Sequence, residues 1–253
     1  MKKIVSLCLV AVLTLALFAC CASADDAKIT KIVFGTNPEF APFEFISANG
    51  VLGEYDGIDM AIAVEIGERA GVEITMESLE FDSLLTALQN GQLDATIAGM
   101  TVTEERALAV DFSKPYYTAT QVMIVKEDSG ITCAADMEGK VIAVVQGYTG
   151  ETCVQELGYE YEAFKKGTEC VMELVNGKCD VIVLDSATAE AYIKDQKGLI
   201  VVNDDEVFAA EEYAIAVQKG NTELLDLINA AIVEMLEDGT ISELSAQYID
   251  SLE

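Results

Sequence analysis

An arginine follows a helix cap in the stretch AGMTVTEERALAVDFS, residues 98–113. Thr103 is a favourable N-cap residue, and Glu104 and Glu105 suit the positive start of a helix dipole. A capping box would place Glu or Gln three residues after the cap, but this chain has Arg106 there. Because a cation is disfavoured in the first turn, we expect an anion to offset it. Free amides beside a guanidinium can bind a carboxylate, and a salt bridge to a neighbouring acidic residue accounts equally well for these residue types.

A second charged residue, Asp185, directly follows the apolar run at 181–184, which predicts a buried strand. At the end of such a strand its carboxylate could accept an ammonium group. The spacing favours a simpler role, capping of the helix predicted to begin at Ser186. Phe40 and Phe81 also follow predicted strands, and residue type alone predicts that both are core residues.

The stretch VVQGYTGETC, residues 144–153, indicates a second element that could hold an anion. A predicted strand runs into a turn with Gly147 and Gly150, and a helix begins near Thr149. Exposed amides at such a turn can bind a negative group. Glycine turns before helices are common and mostly structural, and no Gly-Lys-Ser/Thr follows, so this is not a phosphate-binding P-loop.

Two similar stretches position these residues, NGQLDATIAGMT (90–101) and NGKCDVIVLDSA (176–187). Each predicts a helix that ends at a glycine, Gly91 or Gly177, followed by a short apolar strand. Such helix–strand pairs indicate open α/β sheets, in which ligands bind outside the carboxyl ends of the strands. The copies end in different residues. The sequence therefore predicts two similar sheets whose unlike strand ends meet across one cleft.

The remaining elements fit the same plan. No Pro- or Gly-rich linker separates the two halves, so we expect extended strands to cross between two domains. The other predicted strands are 32–34, 72–76, 95–98, 122–125, 141–145 and 214–217, and the predicted helices are 58–70, 186–195, 222–237, 242–250 and one whose start is capped by Asp82 or Ser83.

Composition excludes several classes of function. The net charge is −29, from 44 acidic and 15 basic residues, and such a surface repels nucleic acid. With no His in the chain and no Cys-x-x-Cys, we expect neither a metal nor a cofactor. Cys170 and Cys179 match leucines of the first copy, which favours buried thiols over disulfides among the four cysteines of the exported part, Cys133, Cys153, Cys170 and Cys179.

Residues 1–19 resemble an export signal, with Lys2 and Lys3 followed by an apolar run. The next residues include LFAC, which ends at Cys20 and resembles the lipobox of bacterial lipoproteins, where the cysteine is diacylated. We therefore expect Cys20 to anchor the protein to the outer face of the bacterial cell membrane (or its periplasmic side). Plain secretion is the alternative.

Five stretches, in order along almost the whole chain, resemble the bacterial extracellular solute-binding proteins, family 3, which bind polar amino acids for ABC importers. The resemblance implies an α/β, two-lobed periplasmic-binding-protein-like fold (type II) with two crossover strands and a central ligand cleft. It places lobe 1 at 27–116 plus 214–253, lobe 2 at 121–208, and the hinges near 117–120 and 209–213. The stretches are GTNPEFAPFEF (35–45), YDGIDMAIAVEIGERAG (55–71), FDSLLTALQNGQLDATIAGMTVTEERALAVDFSKPYY (81–117), VVQGYTGE (144–151) and NGKCDVIVLDSATAEAY (176–192).

The resemblance also implies the ligand contacts. Arg106 would clasp the α-carboxylate of an amino acid, assisted by the amides at Thr101 and Thr149. The carbonyl of Gly99, the Thr101 hydroxyl and Asp185 would hold the α-ammonium group. Two phenylalanines would sandwich the ligand side chain. The complete implied set is Asn37, Phe40, Phe81, Gly99, Met100, Thr101, Arg106, Val145, Thr149 and Asp185.

These implications predict the substrate-binding component of an amino-acid ABC importer, a monomer that delivers its ligand to a membrane permease and is not an enzyme. A cyclohexadienyl-dehydratase-like enzyme on the same fold and a ligand-binding sensor are the alternatives.

Asn37, Val145 and Leu184 stand where relatives carry acidic or polar groups, which favours a ligand with a neutral side chain. Glu39 favours a basic one if it faces the cleft.

Overall fold

The computed structural model describes residues 28–250, so the predicted export signal and Cys20 lie outside the described residues. The strands are β1 (Lys31–Thr36), β2 (Glu39–Phe40), β3 (Glu44–Gly50), β4 (Gly53–Asp56), β5 (Glu73–Ser78), β6 (Ala95–Thr96), β7 (Val110–Phe112), β8 (Tyr117–Lys126), β9 (Ile142–Val145), β10 (Tyr161–Phe164), β11 (Val181–Asp185), β12 (Leu199–Val202), β13 (Ala210–Tyr213) and β14 (Ala216–Gln218). The α-helices are α1 (Ile58–Ala70), α2 (Phe81–Gln89), α3 (Glu104–Ala109), α4 (Thr149–Glu156), α5 (Gly167–Val175), α6 (Ser186–Ile193), α7 (Thr222–Asp238) and α8 (Thr240–Asp250).

The first lobe is built on a sheet of order β5-β1-β6-β14-β7. β1 pairs in parallel with β5 and β6, whereas β14 runs antiparallel to β6 and β7. Ile32 and Phe34 of β1 are completely buried, as expected for a strand in a sheet covered by helices. A small antiparallel sheet of order β2-β3-β4 follows β1 along the chain.

The second lobe is built on a sheet of order β10-β9-β11-β8-β12. β9 pairs in parallel with β10 and β11, and β8 runs antiparallel to β11 and β12. Every residue of β9 and β11 is buried, which explains why both are continuous apolar runs in the sequence except for Asp185 at the end of β11. The α/β, two-lobed fold class is therefore confirmed.

The repeated helix–glycine–strand unit is present in both lobes. Gly91 follows α2 with φ 70°, and Gly177 follows α5 with φ 71°, so both glycines adopt the left-handed conformation that ends a helix. Two boundaries in the first copy of this unit differ from the prediction. α2 begins at Phe81, and β6 stops at Thr96 instead of continuing to residue 98. The strand stops early because the chain turns into Gly99, whose φ is 51°.

Two long-range strands connect the lobes. The first four residues of β8 pair with β13, from Tyr117 opposite Tyr213 to Thr120 opposite Ala210. The rest of β8 belongs to the second sheet, while β14 belongs to the first. The predicted strand 214–217 is thus wrong in extent: β13 ends at Tyr213 and β14 begins at Ala216, because the chain changes sheets between them.

The described cysteines are structural thiols. Cys133, Cys153, Cys170 and Cys179 are all free, and the last two are buried. Burial raises the pKa of the Cys170 thiol to about 12, so it stays protonated and unreactive at neutral pH. Within residues 28–250 no set of three or more His, Cys, Asp or Glu side chains is grouped to hold a metal. No helix in the same range has the length and apolar character needed to cross a bilayer.

Candidate ligand-binding site

Seven of the ten predicted ligand contacts line one small cavity between the lobes, called here the cleft cavity. Arg106 comes from the first lobe and Asp185 from the end of β11 in the second, so groups of opposite charge face the same space. The lining consists of Phe40, Phe81, Ala98, Gly99, Thr101, Arg106, Tyr148, Thr149 and Asp185.

The cleft cavity is narrow. Its volume is about 10 Å³, roughly the space that one water molecule needs. An amino acid is much larger, so its entry requires the lobes to move apart or the lining side chains to shift. A wider cavity of about 1000 Å³ adjoins it and shares Phe81, Thr101, Arg106 and Thr149 with it.

Arg106 contacts both lobes. The Thr103 hydroxyl accepts a hydrogen bond from the Arg106 backbone N–H, which confirms the predicted helix cap. The guanidinium donates from Nη1 to the carbonyl oxygen of Thr101 at 2.7 Å and from Nη2 to that of Gly147 at 2.9 Å. It also lies 5.3 Å from the centre of the Phe81 ring. The salt-bridge alternative is wrong, because within residues 28–250 Arg106 forms no ion pair.

Asp185 occupies the N-cap position of α6, yet its side chain makes no capping hydrogen bond. Its Oδ1 accepts a hydrogen bond of 2.6 Å from the Tyr213 hydroxyl instead. The capping role that spacing favours is therefore wrong. The pKa of Asp185 is raised to about 7, chiefly by burial and secondly by the negative charge of Glu211, while hydrogen bonds from Tyr213 and Gln121 oppose the rise. Such a carboxyl group gains most from a cationic partner.

Aromatic rings from both lobes form one wall of the cleft cavity. Tyr148 of the second lobe makes edge-on contacts with Phe40 at 5.3 Å and with Phe81 at 4.6 Å between ring centres. Phe40 also packs on Phe43, so it belongs to the core and to the cavity at once. A ligand side chain that enters between the two phenylalanines must displace Tyr148.

Gly99 is held in place by a buried carboxyl group. Its N–H donates to Oδ2 of Asp59 at 2.7 Å, and the Tyr116 hydroxyl donates to the same oxygen at 3.0 Å. A Cβ atom at position 99 would lie 2.6 Å from Cε1 of Phe40. Only glycine therefore combines the left-handed backbone with close packing against the aromatic wall.

We expect Gly99→Ala to lower the free energy of unfolding by about 1–3 kcal/mol, because of the strained φ and the contact with Phe40. Ligand affinity should also fall, by about tenfold or more, as Phe40 moves. Urea unfolding and calorimetric titration measure the two effects. Gly53→Ala is the matched control, since Gly53 also has a positive φ but has no heavy atom within 4 Å of the added Cβ. Equal losses in both variants would contradict the role of the Phe40 contact.

Three predicted contacts do not line the cleft cavity. Asn37 donates to the Leu79 carbonyl oxygen at 2.9 Å and accepts from the Tyr148 hydroxyl at 3.4 Å, so it lies behind the aromatic wall. The Met100 side chain is buried in the core of the first lobe. Val145 is buried at the end of β9.

Sequence reasoning missed five residues of the site, one of which is Ala98 in the lining of the cleft cavity. Tyr148 lines the cavity, Tyr213 donates to Asp185, and Gln121 and Glu211 contact the Thr149 hydroxyl. Glu211 carried no distinguishing signal, because acidic residues are abundant throughout this chain. Its place in a predicted crossing strand, two residues before Tyr213, was the only available indication.

Ion pairs across the mouth of the cleft link the lobes. Lys165 of the second lobe contacts Asp82 of the first at 2.6 Å, and Lys166 contacts Glu39 at 2.6 Å. The Tyr192 hydroxyl also donates to the backbone carbonyl oxygen of Glu39. Because these pairs are partly exposed, each contributes only about 0–1 kcal/mol to holding the lobes together.

Known proteins of similar sequence and fold include several whose names record amino-acid binding. The arginine-binding extracellular protein ArtP of Bacillus subtilis is 33% identical, and the match covers 98% of each chain. The structure of ArtJ from Geobacillus stearothermophilus, a protein that binds arginine, lysine and histidine, has a TM-score of 0.81 at 32% identity and covers 87% of this chain and 95% of that one. An ancestral arginine-binding protein bound to glutamine has a TM-score of 0.79 at 39% identity, with 86% and 97% covered.

A protein-family profile also matches most of the chain. It matches residues 32–251, a range that contains every lining residue of the cleft cavity. The chain belongs to the bacterial extracellular solute-binding proteins, family 3.

Proposed function

We propose that this chain binds one free amino acid between its lobes and delivers it to the permease of an ABC importer. The observation that supports this most is that Arg106 and Asp185, from different lobes, line the same cavity. The two poles of an α-amino acid sit on one carbon atom, so its carboxylate and ammonium groups must be met together. A guanidinium and a carboxylate on opposite sides of a cleft do so.

Ligand capture works by closure in this proposal. An amino acid bound only to the first lobe leaves its ammonium group without Asp185, and one bound only to the second lacks Arg106. The ligand therefore stabilises the closed arrangement by its differential contacts. The paired segments of β8 and β13 are the proposed hinges, at 117–120 and 209–213, between lobe 1 (27–116 plus 214–253) and lobe 2 (121–208).

The mode of action, the partners and the location of the protein are proposed from the family to which the chain belongs. The relatives named above are binding proteins, and the chain acts by binding and not by catalysis, so the dehydratase alternative is not favoured. Its partners are a free amino acid and, through the importer, a membrane permease. Family members are extracellular. We further propose that Cys20 carries the lipid anchor and that the protein acts as a monomer.

The charge of the ligand side chain stays a prediction, and Lys166 supports a neutral one. Glu39 is the acidic residue that the sequence offers to a basic ligand, but its carboxylate is 2.6 Å from the ammonium group of Lys166. A basic side chain would have to displace that lysine. L-Glutamine and L-arginine are therefore the first two ligands to compare.

Calorimetric titration with the twenty common amino acids tests the proposed function. We expect 1:1 binding of at least one, with a parallel rise in the midpoint of thermal unfolding, since a ligand that binds only the folded state stabilises it. Absence of both heat and stabilisation across the whole panel would refute amino-acid binding. Mass spectrometry of small molecules that co-purify with the protein identifies the ligand independently.

A further inference from the structure

We propose that Glu211 is a positioning residue that fixes the direction in which the hydroxyl groups of Thr101 and Thr149 donate their hydrogen bonds in the cleft. This inference rests on the proposed function, because it concerns how the same site reads the ligand's ammonium group. Glu211 lies on β13, one of the two strands that connect the lobes. It does not line the cleft cavity itself.

One oxygen atom of Glu211 collects hydrogen bonds from both lobes. The Thr101 hydroxyl of the first lobe donates to Oε2 at 2.9 Å, and the Thr149 hydroxyl of the second donates to the same atom at 2.6 Å. Gln121 on β8 reaches Oε2 from Nε2 at 3.4 Å. No motif or charge pattern in the sequence pairs this glutamate with either threonine.

The direction of these bonds follows from the chemistry of the groups. A hydroxyl has a single proton to donate and two lone pairs, whereas an ionised carboxylate can only accept. Thr101 therefore gives its proton to Glu211, and the lone pairs of its oxygen are left for the cavity. That oxygen can accept from a ligand N–H, but it has no proton to donate to a ligand carboxylate.

Thr149 is restricted in a different way. Its hydroxyl oxygen donates to Glu211 and accepts from Gln121 Nε2 at 3.0 Å, so the hydroxyl is engaged on both sides. What remains for a ligand is the backbone at the start of α4, where no side chain caps the helix. Peptide N–H groups there suit a carboxylate.

The consequence is a site with a fixed orientation. On one side Thr101 presents an acceptor next to Asp185, which suits an ammonium group. On the other side Arg106 and the start of α4 present donors, which suit a carboxylate. Because Thr101 and Thr149 belong to different lobes, Oε2 of Glu211 receives both bonds only when the cleft is closed. Glu211 therefore couples closure of the cleft to the arrangement of hydrogen-bond donors and acceptors that suits an amino acid.

Glu211→Gln tests this inference, because the amide keeps the size of the side chain but adds donors that can reverse the direction of the Thr101 bond. We expect the affinity for the amino acid that the wild-type protein binds most tightly among the twenty common ones to fall by about 10- to 100-fold. Glu212→Gln is the matched control on the same strand, and it should bind like the wild type. Thermal unfolding checks that both variants are folded.

A double-mutant cycle separates positioning from a general structural effect. If Glu211 acts through the Thr101 hydroxyl, E211Q should cost less than about threefold in a Thr101→Val background. Additive losses would overturn the inference, and so would unchanged binding by E211Q. Tighter binding by E211Q would also overturn it, because Glu211 would then be a competitor of the ligand carboxylate. Failure of the wild-type protein to bind any of the twenty common amino acids would refute the proposed function instead, so the two failures are distinguishable.

Discussion

Arg106→Ala should reduce amino-acid affinity by about 150- to 5000-fold, the largest loss that we expect from any single substitution. Arg106 is the only cationic side chain among the residues that line the cleft cavity. Removing one partner of a buried charge pair costs about 3–5 kcal/mol, because the other charge is left without compensation. The ligand carboxylate would be that charge. Calorimetry at fixed ionic strength, or competition where the affinity is too low for direct titration, measures the loss.

Two variants control for this substitution. Arg69→Ala removes the only other arginine of the chain, which donates to Asp238 at 2.8 Å and to Thr240 at 2.9 Å, away from the cleft cavity. It should lower stability and leave affinity unchanged. Arg106→Lys keeps the charge but not the planar fork, so it should fall between the wild type and the alanine variant. Affinity of Arg106→Ala within about threefold of the wild type would contradict carboxylate binding by this residue.

Local signals in the sequence predicted most of the scaffold. The repeated Asn-Gly stretches marked two helix ends and the strands after them, since left-handed glycines and apolar runs act within a few residues. The prediction of Thr103 as a helix cap rests on the same kind of local signal. Boundaries failed where the chain changes direction for reasons outside the segment. β6 ends early for this reason, and only residues 216 and 217 of the predicted strand 214–217 lie in a strand, because the chain passes from one sheet to the other just before them.

The site was predictable only in part. Residue type and spacing identified Arg106, but they placed Asp185 in a capping role, because the competing partner, Tyr213, lies 28 positions away. The contacts of Glu211 could not be predicted for the same reason: its partners are 110 and 62 positions distant, and only its place in a predicted crossing strand indicated a role. Contacts of this kind are made when β8 and β13 pair and bring the lobes together. Resemblance to a family compensated for the missing contacts at Asp185, but not at Glu211.

Asp185→Asn should weaken amino-acid binding by about 100-fold at pH 8 and should also flatten its pH dependence. In the wild type, burial raises the pKa of Asp185 to about 7. Below that pH the carboxyl group takes up a proton and no longer pairs with the ligand ammonium group, so wild-type affinity should fall, by up to about tenfold per pH unit. Titrations between pH 5 and pH 8 measure both variants. An equally steep profile in D185N would assign the proton to another group.

The titratable and polar groups around Asp185 decide whether the pH dependence of affinity can be assigned to it. Glu211, Tyr213 and Gln121 shift its pKa directly. Buried Asp59 also has a pKa raised to about 7, but it is retained in D185N, so any pH dependence that survives belongs to it or to other groups.

Unliganded stability should respond in the opposite sense to affinity. A carboxyl group whose pKa is raised by folding stabilises the folded state fully below its unfolded pKa, and this contribution is lost as the pH rises through about 7. The asparagine variant never carries that buried charge. At pH 8 without ligand it should therefore unfold at a higher temperature than the wild type, although it binds more weakly. A lower unfolding temperature for D185N at pH 8 would show that Asp185 is held mainly by its bond with Tyr213 and not poised for an ammonium group. The buried carboxylate thus costs stability until a ligand arrives, and the same cost makes the arriving ammonium group bind more tightly.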